Sequence, residues 1–220
     1  MDARISEAAR RRLADDFDGA RQLCMDVLAE APQHAEAMSL IGVCALETGD
    51  LDGARDWLDR AEAADPDCGP MHLYRSMLHD VTGDADAALV SARRASEAAP
   101  HRFDVWGRYG DLAGRAGDFR TSAQALAAAL GADPQHPAHA HVALRLAGAR
   151  MEIGDIKGAA AALDTAEAGG LGDTLDVVRL RVELARHAGD WSALIRYAER
   201  WQALDPSALD AKGALAMGWG

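Results

Sequence analysis

Apolar residues recur with a helical period along residues 35–67, AEAMSLIGVCALETGDLDGARDWLDRAEAADPD. They stand at steps of about three and four residues, at Met38, Ile41, Ala45, Ala54, Leu58 and Ala61. This spacing predicts two amphipathic helices, each with one buried face, and the break between them falls near Gly49. The pattern therefore predicts a helical hairpin.

The residues at the break supply the turn and the helix ends. Gly49 can adopt the left-handed backbone conformation that ends the first helix, and the Asp residues after it can cap the second. Pro66 lacks a backbone N–H, so it stops the second helix. Small residues at Gly42 and Ala54 allow the two helices to approach closely.

The same set of residues returns along the chain at a fixed interval. Gly-Asp pairs stand at residues 49–50, 83–84, 117–118, 154–155 and 189–190, and Pro closes a similar segment at residues 32, 66, 100 and 134. The interval between these Pro residues is 34 residues. A fixed period of this size indicates an array of structural repeats, in which each repeat buries its apolar face only against its neighbours.

The order of residues in each repeat resembles the tetratricopeptide repeat pattern: a large residue, a Leu-like residue and Gly, then Gly-Asp, then Ala, Leu, Ala and Pro. The resemblance covers nearly the whole chain. It implies an all-α, right-handed superhelical solenoid of about six helical hairpins plus a C-terminal helix. We expect a single array over residues 1–220, with repeats at 1–34, 35–68, 69–102, 103–136, 140–173 and 175–208 and a terminal helix at 209–220.

Two places depart from the repeat pattern. Asp15 occupies the turn position that Gly holds elsewhere, and Asp tolerates the left-handed region better than most residues. The fifth repeat replaces the closing Pro with AGGLGD at 168–173, after an insertion, HPAHAH, at 136–141. We expect an irregular step in the superhelix at this repeat.

Composition and charge narrow the class of protein. Ala and Leu are abundant and only 5% of the residues are aromatic, which favours helices over a β-sandwich or barrel. The net charge of −12 argues against recognition of nucleic acid or an anionic membrane by bulk charge, because such surfaces need clustered Lys and Arg. Cys24, Cys44 and Cys68 form no C-x-x-C pair, which disfavours a disulfide framework or a Cys-based zinc site. Since the sequence contains no secretory signal and no membrane span, we expect a soluble, cytoplasmic protein.

No arrangement of residues points to catalysis or to a cofactor. GGLG at 169–172 lacks a preceding strand and the rest of a phosphate-binding fingerprint, so it is interpreted as a turn between repeats. His136, His139 and His141 could bind a metal, because imidazoles are common ligands, but a Pro-containing loop rarely aims three rings at one ion. His72 falls at a packing position and is predicted to be structural. We therefore predict that the protein is not an enzyme and holds neither a cofactor nor a metal.

The resemblance places the partner-binding surface on the concave side of the array, which the first helix of each hairpin lines. Ten residues are predicted to face this groove, namely Leu40, Val43, Leu73, Tyr74 and Met77 in an apolar half and Arg108, Asp111, Arg145, Arg179 and Glu183 in a charged half. Such a groove suits a segment of another protein that has hydrophobic anchors and acidic flanks. The alternative is that the apolar side chains pack between neighbouring helices and that the Arg residues pair with nearby acids.

Three functions are compatible with the sequence. The first is a protein–protein interaction scaffold, or adaptor, that holds a peptide segment or partner protein in its groove. The second, implied by the resemblance alone, is an N-terminal substrate-docking domain of a larger enzyme such as a glycosyltransferase or a sulfotransferase. The third is a self-assembling scaffold, in which Leu215, Met217 and Trp219 at the C-terminal end form a weak homodimer. We expect no nucleic-acid partner and no membrane partner.

Overall fold

The computed structural model describes residues 3–218, which form thirteen α-helices and one π-helical turn and contain no β-strand. The chain divides into two compact units, unit 1 at Met1–Leu112 and unit 2 at Ala113–Gly220. Unit 1 holds α1 (Ala3–Leu13), α2 (Phe17–Glu30), α3 (Ala35–Glu47), α4 (Leu51–Ala64), α5 (Gly69–Val81), α6 (Ala85–Ala98) and most of α7 (Phe103–Arg115). Unit 2 holds the end of α7, then α8 (Phe119–Ala132), α9 (His139–Glu152), α10 (Ile156–Ala166), α11 (Leu175–Ala188), α12 (Trp191–Leu204) and α13 (Leu209–Gly218).

Helices that follow one another in the sequence pack together as hairpins. In unit 1, α1 packs on α2, α3 on α4 and α5 on α6, and in unit 2, α9 packs on α10 and α11 on α12. First helices of neighbouring hairpins also touch in unit 1, where α3 contacts both α1 and α5. The predicted all-α fold of helical hairpins is confirmed, whereas the predicted repeat bounds and the single array stay predictions.

Residues in the left-handed region form the turns within the hairpins. Five glycines have φ between 67° and 84°: Gly49, Gly83, Gly117, Gly154 and Gly189. Asp15 takes the same role in the first hairpin with φ of 59°. Both the Gly turns and the substitution of Asp15 agree with the sequence prediction.

Asp residues cap the helix that follows each of these turns. Asp50 accepts a hydrogen bond from the backbone N–H of Gly53 at 2.9 Å. The same contact, from the residue three positions later, is made by Asp16, Asp84, Asp118, Asp155 and Asp190. Each cap satisfies an N–H group that has no partner inside its own helix. The recurring Gly-Asp pair thus ends one helix and begins the next.

Close helix packing shapes the core of unit 1. Ile5, Ile41, Leu58 and Met71 are each at most 2% exposed. Gly42 of α3 faces Leu58 of α4, and a Cβ at Gly42 would lie 3.1 Å from the Leu58 side chain. The close approach of these helices, which the small residues predict, therefore depends on Gly42.

Three thiols and one imidazole also lie inside unit 1. Cys24, Cys44 and Cys68 are buried and free, and burial raises the pKa of Cys24 to about 12 and that of Cys44 to about 11. His72 is 5% exposed, and its Nε2–H donates to the carbonyl oxygen of Pro66 at 2.8 Å. The contact ties α5 to the loop before it, so the predicted structural role of His72 is confirmed.

Unit 2 contains an irregular segment at the place where the closing Pro is missing. The helix α10 continues directly into a π-helical turn, Glu167–Leu171, in which Gly170 has φ of 93°. Arg181 of α11 holds this turn by donating from Nε and Nη2 to the two carboxylate oxygens of Glu167, at 2.9 and 2.7 Å. The backbone is thus irregular where the closing Pro is missing, and the expected irregular step in the superhelix stays a prediction.

The terminal helix α13 packs on α12 in unit 2. Ala211 and Ala214 of α13 join a buried cluster with Leu194 and Trp201 of α12. The terminal helix is described as far as Gly218, so the predicted contribution of Trp219 lies outside the described residues.

Substitution of Gly117 by Ala tests the left-handed turn. Gly117 has φ of 80°, and an L residue with a Cβ loses about 1–2 kcal/mol in that region. The Gly117→Ala variant should therefore lower the free energy of unfolding by about 1 kcal/mol or more in chemical denaturation. Gly131→Ala, inside α8 and with open space around a Cβ, should instead leave stability equal or raise it by up to about 1 kcal/mol. Equal effects of the two substitutions would contradict the role given to the turn.

The buried imidazole of His72 predicts a pH dependence of stability. Burial lowers the pKa of His72 below its ordinary value of 6.5, because a buried ring takes up a charge less readily than one in water. The unfolded chain binds this proton more readily, so the free energy of unfolding should fall as pH drops below about 6.5. Urea denaturation at about pH 7 and about pH 5 should show a smaller fall for His72→Gln, which cannot titrate but can donate to Pro66. An equal fall in the free energy of unfolding for the two proteins would show that His72 does not contribute to the pH dependence of stability.

Candidate partner-binding groove

Four of the five apolar residues predicted for the groove are buried in unit 1. Leu40, Val43, Leu73 and Tyr74 are each at most 6% exposed, whereas Met77 is half-buried. Because α3 packs directly on α1 and α5, these four side chains belong to the core between the helices. Their expected exposure is therefore wrong, and the alternative of packing between neighbouring helices is what the structure contains.

Arg12 of α1 lies over the ring of Tyr74. Its guanidinium lies 5.7 Å from the centre of the Tyr74 ring, and its Nη1 donates to Oε1 of Glu47 at 2.6 Å. Burial raises the pKa of Tyr74 to about 12, so its hydroxyl stays protonated. Sequence reasoning missed the contact between Arg12 and Glu47, although their separation of 35 residues, close to one repeat, was a usable signal.

The charged residues predicted for the groove fall in both units. Arg108 of unit 1 donates from Nη2 to Asp80 at 2.9 Å and to the carbonyl oxygen of Ser76 at 3.1 Å, so its charge is engaged within the unit. Asp111 of unit 1 is half-buried. Arg145, Arg179 and Glu183 lie in unit 2, and the structure brings these three together.

A cavity of about 650 Å³ collects these three residues in unit 2. First helices supply most of its walls: α9 supplies Leu144 and Arg145, α11 supplies Asp176, Arg179, Leu180, Val182, Glu183 and Arg186, and α13 supplies Leu209, Asp210, Gly213 and Met217. The residues of α11 recur at steps of three and four, which places them along one face of the helix. Leu194 and Trp201 of α12 also line the cavity, as does Ala214 of α13.

The cavity exists because α11 and α13 hardly touch each other. Each packs on α12, but the two make far less direct contact than α3 makes with α5 in unit 1. The small residues Gly213 and Ala214 lie on the α13 wall, and a Cβ added at Gly213 would meet open space. The space between two first helices is therefore filled in unit 1 and open here.

Large apolar side chains line this cavity while remaining open to solvent. Leu209 is 79% exposed and Met217 is 51% exposed. Trp201, at 7% exposed, presents a smaller area. Sequence reasoning assigned Met217 to self-assembly and did not place Leu209, Asp210 or Met217 in the groove. A seventh first helix at 209–220 was the signal that could have placed them there.

The charges of the cavity are partly neutralised within it. Arg186 forms an ion pair with Glu183, one turn earlier on α11. The guanidinium of Arg179 lies 5.5 Å from the centre of the Trp201 ring, an arrangement that allows a cation–π attraction. Asp176 and Asp210 are exposed in the first turns of α11 and α13. The cavity therefore combines apolar surface with separate positive and negative groups.

No group of three His, Cys, Asp or Glu residues between positions 3 and 218 is arranged to hold a metal ion. Around the start of α9, His136 and His139 are half-buried and His141 is exposed. No helix among the described residues is both long and apolar enough to cross a membrane.

Comparison with solved structures identifies the fold. PilF of Pseudomonas aeruginosa superposes with a TM-score of 0.73 at 18% identity, over 98% of this chain and 96% of PilF. PilW, a type IV pilus biogenesis factor, gives a TM-score of 0.64 at 19% identity, over 96% of both chains. YrrB, a tetratricopeptide repeat protein with an unusual peptide-binding site, gives 0.75 at 11% identity, over 87% of this chain and 96% of YrrB. At these identities the likeness extends to the fold alone.

Family models supply the sequence evidence. No curated protein matches the sequence. Two tetratricopeptide repeat family models match residues 12–76 and residues 110–174, which together make up more than half of the chain. These matches agree with the helical hairpins, the left-handed turns and the Asp caps described above. The chain belongs to the tetratricopeptide repeat superfamily.

Proposed function

We propose that this protein is a non-catalytic interaction scaffold whose groove in unit 2 binds a segment of a partner protein. The observation that carries the proposal is the cavity of about 650 Å³ between α9, α11 and α13, with Leu209 and Met217 exposed on its wall. Tetratricopeptide repeat proteins serve in general to bind other proteins, which supports the class of function. The cytoplasmic location stays a prediction.

The dimensions of the cavity suit a short segment of protein. Binding cavities commonly measure about 300–1,000 Å³, so the space accommodates a few large side chains. Apolar side chains in series on a helix face that remains open to solvent favour association, because covering them removes apolar surface from water. An extended or helical segment that presents one or two apolar side chains would fill the space between α11 and α13.

Self-association of the same surface is the second candidate function. It is favoured by the position of Leu209 and Met217 on α13, where another copy of the chain could cover them. A contact of this kind with two-fold symmetry closes as a dimer. Both candidates use the same apolar residues, and they differ in the partner.

Charge placed on the cavity wall tests the proposed site. A partner captured from native extract and then purified should bind Met217→Asp at least about tenfold more weakly, since the variant loses apolar burial and adds a desolvated carboxylate. Isothermal titration calorimetry measures the change. The matched control is Met25→Asp in α2, where the native Met is 48% exposed against 51% for Met217, and it should bind normally. A partner that binds both variants with the affinity of the natural chain does not use this groove.

Light scattering after size exclusion tests self-association. A homodimer would give a mass above 23.3 kDa that rises with concentration, and Leu209→Asp should return the mass to that of one chain. Circular dichroism of Leu209→Asp should match the natural chain, because the Leu side chain is largely solvent-exposed. A mass of one chain at high protein concentration would exclude the self-assembling scaffold.

A further inference from the structure

The charged groups that line the cavity differ in how far unit 2 already satisfies them. Arg186 is paired with Glu183 on the same helix. Asp176 and Asp210 are exposed, and within residues 3–218 neither makes an ion pair or a side-chain hydrogen bond. Arg179 is exposed and lies over Trp201. Arg145 of α9, also on the wall, already has an interaction partner. Asp176, Asp210 and Arg179 are thus the wall charges that form no ion pair within residues 3–218.

The two Asp residues and Arg179 lie at different positions along the length of the helices that line the cavity. Asp176 and Asp210 both lie in the first turn of their helices, on α11 and α13 respectively. Arg179 stands three residues after Asp176 on the same face of α11, which is about 4.5 Å further along the helix axis. Beside Arg179 are Leu180 and the small residues of α13, which leave the apolar space open. The cavity is therefore acidic at one end and basic further along.

We propose that the groove selects a partner segment of mixed charge, in which a basic side chain, an apolar side chain and an acidic side chain follow one another. The basic group sits between Asp176 and Asp210, the apolar group enters the cavity beside Leu180, and the acidic group pairs with Arg179. This inference rests on the proposed function, because it assigns the chemistry of the partner at the same site.

Charge complementarity favours this partner over a purely acidic segment. An acidic segment would bring its carboxylates towards Asp176 and Asp210, and like charges in a partly desolvated site repel. The net charge of −12 on the chain adds to that repulsion at long range. A purely basic segment would meet Arg179. Only a segment that carries both signs satisfies all three groups.

Helix electrostatics gives a competing reason for the two acids. Asp in the first turn of a helix is stabilised by the partial positive charge at the helix N-terminus, whether or not a partner binds. Asp86 offers a matched control, because it is also exposed in the first turn of a helix, α6, and lies in unit 1. A substitution there changes helix electrostatics and net charge in the same way without touching the cavity.

Selection from a random library of peptides of about twelve residues tests the proposal with the intact chain. Peptides that bind the natural chain and lose binding to Met217→Asp define groove ligands. We expect these to carry a basic and an acidic residue on either side of an apolar one. For the tightest peptide, an isomer in which the basic and acidic residues are exchanged should bind at least about tenfold more weakly.

Variants of the protein then test which wall residues contact the charged groups of the peptide. Asp176→Lys combined with Asp210→Lys should weaken the selected peptide at least about tenfold and should favour its charge-exchanged isomer. The control with the same change in net charge, Asp86→Lys combined with Asp18→Lys in the first turn of α2, should leave both affinities unchanged. Groove ligands that carry only acidic residues would overturn the mixed-charge proposal and leave the proposed function standing. Peptides that bind Met217→Asp as well as they bind the natural chain, or a selection that enriches none, would count against the proposed function itself.

Discussion

Direct packing between neighbouring first helices decides where this protein can expose apolar surface. In unit 1, α3 lies against α1 and α5, and the side chains between them, such as Val43 and Leu73, are removed from water. Arg12 and Arg108 then cover the remaining surface through contacts with Glu47 and Asp80. In unit 2, α11 and α13 rest on α12 without filling the space between them. The same repeat thus produces a closed surface where first helices touch and a cavity where they do not.

Local chemistry explains which parts of the fold can be predicted from the sequence. The left-handed turn at Gly49, the exceptional Asp15 and the cap at Asp50 each depend on a few adjacent residues, so their structure follows from residue type. Packing differs, because a helical face is recognisable from spacing while the distance to the next helix is not. Tyr74 has the spacing of a groove residue, yet it is buried beneath Arg12 from a helix about two repeats away. Arg145, Arg179 and Glu183 could be grouped in advance, since they occupy one helical face in successive repeats.

The segment at 167–171 also shows that structure set by tertiary contacts cannot be predicted from the local sequence. Loss of the closing Pro indicates that α10 need not stop where other second helices stop, and Gly170 permits a left-handed residue inside the turn. The sequence does not reveal that the chain continues as a π-helical turn, because that outcome depends on Arg181 reaching back to Glu167. The close approach of Gly169 to Ala140 adds a second tertiary condition, since a Cβ at Gly169 would collide with that residue. Where the repeat lacks its closing Pro, contacts from other helices therefore determine the backbone conformation.

The distribution of the thiols gives unit 1 an internal reporter of its own opening. Cys24, Cys44 and Cys68 are all buried there, and unit 2 contains no cysteine. A thiol reacts as its thiolate, which burial disfavours in each of the three, so modification requires exposure of the helix interfaces to solvent. The rate at which a thiol reagent modifies the native chain therefore measures how often unit 1 opens. Because all three thiols lie in unit 1, this measurement needs no introduced label.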